Sequence, residues 1–255
     1  MKNNNFTFVR LILSFMVLLF HLSVLTQLKE FYFLKEYISA NYAIKGFFVI
    51  SGYLVYQSFI NSSSSKEYFI KRFKRLYPAY IVGLLLSFII AISITSLNIY
   101  EFLKSVDLYR FFLFNLFFLN FVQPTLPGVF ENNYISAING SLWTIKIEVI
   151  FYALIPYLIM LLKKNNKFLI LVIVYLVSIS WVYYFQNLYD GVYINNLYKQ
   201  LPGQLIYFCL GIFLSMNKKY IKYCFVIFTS SLLVSLLFQS KIVNYLVEPI
   251  FISSS

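Results

Sequence analysis

Long apolar runs alternate with short polar and basic stretches along the whole of this 255-residue chain. About 20 residues of α-helix cross the hydrocarbon core of a bilayer, and lipid satisfies no backbone hydrogen bond, so runs of this length predict spanning helices. The strands of a membrane barrel would be short and alternate in polarity; these runs are long and continuously apolar. Seven crossings are predicted, at 6–27, 43–60, 78–97, 140–162, 167–185, 201–217 and 221–238. A further apolar stretch, Leu108 to Val122, is short for a span and carries Arg110, Asn115 and Asn120. The expected fold class is an all-α, polytopic transmembrane helix bundle, one integral membrane domain over 1–255.

Composition agrees and adds the topology. The chain is 60% apolar and 12% charged, with a mean hydropathy of +0.75. That leaves too few charges to coat a soluble globule, in which about a quarter of residues are charged. Its net charge of +12 suggests nucleic acid less than the positive-inside rule, because the basic residues cluster between apolar runs. Lys71, Arg72, Lys74 and Arg75, then Lys163, Lys164 and Lys167, then Lys218, Lys219 and Lys222 all fall on one side if 108–122 does not cross. Lys29, Lys35, Lys45, Lys104, Arg110, Lys199 and Lys241 then fall on the other. A crossing at 108–122 would move two of the three clusters outward, against the rule. Residues 98–139 are therefore expected to form an outer region with a re-entrant or interfacial piece, and the N-terminus to be cytoplasmic.

Local signals set the boundaries. Pro78 follows the basic run and is expected to open a helix, where its missing N–H costs nothing. Asn139-Gly140-Ser141 offers capping residues before the fourth crossing. Asn61 to Ser65 has the composition of a flexible link. The start of the chain, with Lys2 and Arg10 ahead of an apolar run, lacks a small-residue cleavage site and is expected to be a retained first helix. Cys209 and Cys224 sit in apolar segments with no metal-like spacing, so packing is their expected role.

Ionisable groups within a membrane are costly and mark function by default. The one histidine, His21, lies in the first helix, eleven residues after Arg10. Eleven steps of about 100° return to nearly the same face, about 16.5 Å along the axis. A histidine hydrogen-bonded between helices would be the bland alternative. Glu148 in the fourth helix lies about 13 Å below the outer surface if the helix starts at Asn139, and His21 about 9 Å. A carboxylate meeting the histidine would fix its tautomer and suit it to general-base work. Ser141, seven residues from Glu148, and Trp143 are candidates for the walls of the same site. Pairing of Glu148 with Lys146 is disfavoured, since residues two apart on a helix do not face each other. Arg72 and Arg75, one turn apart, suit bidentate phosphate binding, although a basic loop also serves topology alone. Together these residues suggest group transfer from a phosphorylated cytoplasmic donor to an outer acceptor.

Arg10 and His21 in FTFVRLILSFMVLLFH, KGFFVISGYL at 45–54, KRFKRLYP at 71–78 and NGSLWTIKIEVIFY at 139–152 resemble, in order, the motifs of the bacterial membrane acyltransferase family 3. These enzymes O-acetylate surface polysaccharides or acylate antibiotics. The resemblance implies acetyl-CoA as donor, a hydroxyl of an extracytoplasmic carbohydrate as acceptor, and the bacterial cytoplasmic membrane as location. It carries over onto Arg10 and His21, onto Arg72 and Arg75, and onto Trp143 and Glu148. His21 is then expected to act as general base or transient acyl carrier, with Glu148 orienting it, and Arg10, Arg72 and Arg75 to hold donor phosphates. No metal is implied, because a lone histidine without clustered carboxylates makes a poor ligand set. Members usually run beyond 300 residues with about ten helices, so seven helices suggest that C-terminal helices are lacking. Two other functions fit the same polar residues: a transporter or flippase of a glycan intermediate, and an inactive, truncated family member.

Overall fold

The structure, a computed structural model, describes residues 6–26, 28–133, 136–189 and 197–219. All regular elements among these residues are helical: α1 (Phe6–Thr26), α2 (Tyr32–Tyr37), α3 (Ala40–Ile60), α4 (Ser65–Ile94), α5 (Ile99–Lys104), α6 (Val106–Leu116), α7 (Trp143–Lys164), α8 (Lys167–Tyr183) and α9 (Leu201–Met216). Among the described residues, α1, α3, α4, α7 and α8 lie in segments long and apolar enough to cross a membrane, and α9 is a shorter apolar helix. The crossing expected at 221–238, with Cys224, lies outside the described residues. Two compact units divide the chain, Met1–Ser62 with Ala153–Ser255, and Ser63–Tyr152.

In the first unit, side-chain pairs fix the helix directions. α1 runs antiparallel to α3, with Phe6 against Tyr53 at 4.8 Å between ring centroids and Leu13 against Gly46. α8 runs antiparallel to α9, with Phe168 against Phe213 at one end and Ser178 Oγ donating to the Pro202 carbonyl (2.8 Å) towards the other. α3 and α9 are parallel: Phe48 stacks on Phe208 at 4.6 Å, and Gln57 Nε2 donates to Ser215 Oγ at 2.9 Å. Parallel α3 and α9 require an odd number of crossings between them, as the three helices α4, α7 and α8 supply. That count holds only if 108–122 turns back instead of crossing.

Lipid-embedded helices gain little hydrophobic energy from one another, so close packing between small residues holds them together. At Gly52 an added Cβ would lie 2.1 Å from the Phe208 carbonyl oxygen, and at Gly211 2.0 Å from that of Val49. The α3–α9 contact is thus backbone on backbone at two glycines.

In the second unit, α4 begins at Ser65, well before Pro78. Ser64 accepts a hydrogen bond from Glu67 N (3.2 Å), and Glu67 Oε2 accepts from Ser63 N and Ser63 Oγ (2.6 Å each). This is a capping box with the carboxylate reaching one residue further back. The serine run expected to be a flexible link is therefore a helix start, and it carries the basic run into the helix. Pro78 lies inside α4. The fourth helix also departs from expectation: Asn139 caps nothing, and its Oδ1 instead accepts from Ser141 Oγ at 2.6 Å, ahead of a 3-10 turn over Gly140–Leu142.

The described segment from 98 to 133 folds back on α4 instead of continuing away from it. α5 and α6 turn back along α4, with Phe112 against Phe88 (5.4 Å) and Phe118 against Tyr80 (4.7 Å) and Tyr77 (5.9 Å). The chain then returns to the far end of α4, where Thr95 Oγ1 donates to the Pro127 carbonyl (3.0 Å) and Ser96 N to that of Gly128 (2.9 Å). From Tyr77 to Ile94 is about 25 Å of helix. Non-helical backbone at such depth survives only where the protein satisfies it. Asn115, fully buried, donates from Nδ2 to the carbonyls of Phe111 (2.8 Å) and Gln123 (3.1 Å). Its own carbonyl accepts from Tyr80 Oη (2.8 Å) and Phe118 N (3.0 Å). Phe118 takes a left-handed φ of 62° at the turn.

The two-glycine contact gives a direct test. Gly52→Ala should destabilise the protein by about 1–3 kcal/mol, since the backbones must separate. Gly83→Ala, with nothing within 4 Å of the added carbon, should be neutral or gain up to about 1 kcal/mol of helix propensity. Thermal unfolding in detergent reads both; equal loss in the two would contradict the packing.

Candidate functional site

α1 is unbroken from Phe6 to Thr26, so Arg10 and His21 lie on one stripe about 16.5 Å apart along the axis. Arg10, Leu13, Val17, His21 and Val24 are half-buried, as are Phe6, Met16, Leu19 and Phe20, and Ser23 is fully buried, while Leu11, Phe15, Leu18 and Leu25 are exposed. Both polar groups therefore lie on the sheltered side of an otherwise lipid-facing helix. Within the same unit, Lys45, expected among the outer anchors, is buried inside α3, with its ammonium 5.2 Å from the centre of the Tyr207 ring on α9. Burying its stem and facing an aromatic ring are how a lysine is sheltered from lipid.

The second unit gathers a different set of groups. Tyr68 and Arg72 are one turn apart on the inward face of α4, and both meet Tyr152 of α7. Tyr68 Oη donates to the Tyr152 carbonyl at 3.2 Å. The cause lies four residues on. Pro156 sits inside α7 and has no N–H, so the Tyr152 carbonyl loses its helical donor, and the fully buried Tyr68 hydroxyl supplies another. The Arg72 guanidinium lies 5.9 Å from the centre of the Tyr152 ring. The Tyr152 hydroxyl, one turn from Glu148, donates to Glu148 Oε1 at 2.5 Å, short as bonds to a carboxylate are. Glu148 is thus tied, through one ring, to the level of the arginine run, about 33 Å along α4 from Ile94.

The other candidates disperse. Arg75 is exposed, one turn beyond Arg72. Trp143 is half-buried at the first position of α7. Ser141 is exposed and bonded to Asn139 in the 3-10 turn, so it does not continue the helical face of Glu148. Lys146 points to the returning segment, 4.3 Å from the centre of the Phe121 ring, away from Glu148 as a two-residue spacing demands. Sequence reasoning missed Tyr68 and Tyr152. The available signals were Pro156 four residues after Tyr152 and Tyr68 four residues before Arg72.

Tyr68→Phe removes the replacement donor while keeping the ring. It should cost about 1–3 kcal/mol, the penalty for a buried acceptor left unmade, visible as a lower unfolding temperature. Combining it with Pro156→Ala, which restores the helical donor, should recover most of the loss. An additive double variant would contradict the exchange of donors.

The chain matches the family described as "Acyltransferase domain" over residues 3–247. It is 28% identical to an uncharacterised protein of Haemophilus influenzae over 172 residues, covering 62% of this chain and 67% of that one. It is 27% identical to Nodulation protein 10 of Rhizobium leguminosarum bv. viciae over 134 residues, 51% of this chain and 36% of that one. No solved structure matches it.

Proposed function

This chain belongs to the acyltransferase family, and from that premise we propose that it moves an acetyl group from acetyl-CoA, bound at the cytoplasmic side, to a hydroxyl of an extracytoplasmic carbohydrate such as a cell-surface polysaccharide. The observation that carries this reading is the Arg72–Tyr152–Glu148 cluster, an arginine and a carboxylate held at the basic end of a membrane helix. A phosphorylated donor matches the positive charges of Arg72 and Arg75, and that of Arg10 on α1; a neutral glycan in transit does not. Guanidinium groups match phosphate oxygens through paired N–H donors.

In the proposed reaction the acceptor hydroxyl oxygen attacks the thioester carbonyl. His21 takes the hydroxyl proton as general base, the C–O bond forms, the C–S bond breaks, and coenzyme A leaves as its thiol once protonated. Glu148 contributes to turnover as the carboxylate at the Arg72 end of the site, and Trp143 and Ser141 contribute to acceptor binding. The Lys163, Lys164 and Lys167 cluster supports a cytoplasmic N-terminus in a bacterial inner membrane.

Expression of the chain in a host without surface O-acetylation tests this proposal, with acetyl on the extracted polysaccharide measured by NMR. The chain should add acetyl groups, and His21→Ala at equal expression should abolish them. Arg72→Ala should raise the KM for acetyl-CoA about ten- to a hundredfold, as loss of a charged hydrogen bond does. Undiminished acetylation by His21→Ala would remove the histidine from the mechanism.

A further inference from the structure

We propose that Tyr152 is a positioning residue of the transfer reaction, one that holds the Glu148 carboxylate in its working geometry through its hydroxyl and steadies Arg72 through its ring. This deepens the proposed function and rests on Glu148 and Arg72 having the roles given there.

Tyr152 is held at both its backbone and its side chain. Its carbonyl, released by Pro156, is held by Tyr68 across the helix pair. Its side chain is buried, at 8% exposure. A tyrosine in a lipid-embedded helix needs a partner for its O–H, and here that partner is a carboxylate, at 2.5 Å. A phenol donating to a carboxylate oxygen leaves the group fewer lone pairs to turn towards and narrows the directions in which its second oxygen can point. A glutamate has three side-chain torsions, and ordering it within the site costs about 1.5–2 kcal/mol of rotamer freedom. The bond to Tyr152 supplies that order before substrate arrives, which is what preorganisation means for a reacting site.

The ring does separate work. A guanidinium within about 6 Å of a ring centre is attracted by the ring quadrupole, and that of Arg72 lies 5.9 Å from the centre of Tyr152. Neither contact requires Tyr152 to touch substrate. It acts through its neighbours.

The two contacts predict a split that a purely structural tyrosine would not produce. Tyr152→Phe keeps the ring under Arg72 and deletes the hydroxyl; kcat should fall about ten- to a hundredfold, with the KM for acetyl-CoA within about twofold of the parent. Tyr152→Leu deletes both; kcat should fall similarly and KM should rise at least about tenfold. Both are assayed in the full chain in detergent or liposomes, with folded recovery checked by size exclusion. Glu148→Gln, run beside them, separates the layers. If Glu148→Gln keeps parental kcat, the role given to the carboxylate fails. If Glu148→Gln loses activity while Tyr152→Phe keeps parental kcat and KM, the positioning role is overturned and the proposed function stands. A Phe variant that raises KM with kcat intact overturns it too. Should the Phe variant not fold, direct acetyl-CoA binding to Tyr152→Trp decides: the large ring should retain parental affinity, and loss of binding would contradict the ring's role.

Discussion

A backbone that lies in lipid must find its hydrogen-bond partners within the protein, and the polar cluster and the returning segment of this fold both follow from how that requirement is met. Helix α7 carries a proline in its interior, and the carbonyl it releases, at Tyr152, is met by the hydroxyl of Tyr68. That one replacement bond joins α4 to α7 at the turn where Arg72 faces Tyr152. The polar cluster on which the functional account rests is therefore assembled by repair of a helix break. The returning segment obeys the same rule: Asn115 and Tyr80 satisfy the turn that lets it reverse about 25 Å along α4.

Where no polar group needs a partner, packing takes over. α3 and α9 meet at Gly52 and Gly211, with no room for a methyl group on either. On α1 both Arg10 and His21 are half-buried, at the edge of a broad sheltered face that includes the fully buried Ser23, while Leu11, Phe15, Leu18 and Leu25 are exposed. Lys45 is accommodated through its stem and the Tyr207 ring.

The long helices were legible because a membrane imposes a length and an apolar composition that no local propensity can disguise. The turning back of 98–133 was legible from charge, since only a returning segment leaves Lys163–Lys167 and Lys218–Lys222 on one side. Helix starts were less so. Pro78 looked like a first-turn proline, yet Ser64 and Glu67 form a capping pair earlier in the chain, and a long helix tolerates an interior proline. A seven-residue spacing puts Ser141 on the face of Glu148 only within a helix, and α7 has not yet begun at Ser141. Arg72, Arg75 and Glu148 could be picked out by charge alone, but the tyrosines that organise them could not. Among 23 tyrosines, Tyr68 and Tyr152 are set apart by the bond from a hydroxyl to a carbonyl freed by Pro156, and that is a relation between two helices.

The central claim is that the α4–α7 cluster receives a phosphorylated donor, and photocrosslinking with a coenzyme A analogue bearing a photoreactive group tests it most directly. Mass spectrometry of the labelled chain should find the adduct in peptides spanning residues 66–80 or 141–152, competed away by acetyl-CoA and lost in Arg72→Ala. Specific, competable labelling confined to other helices would contradict the account.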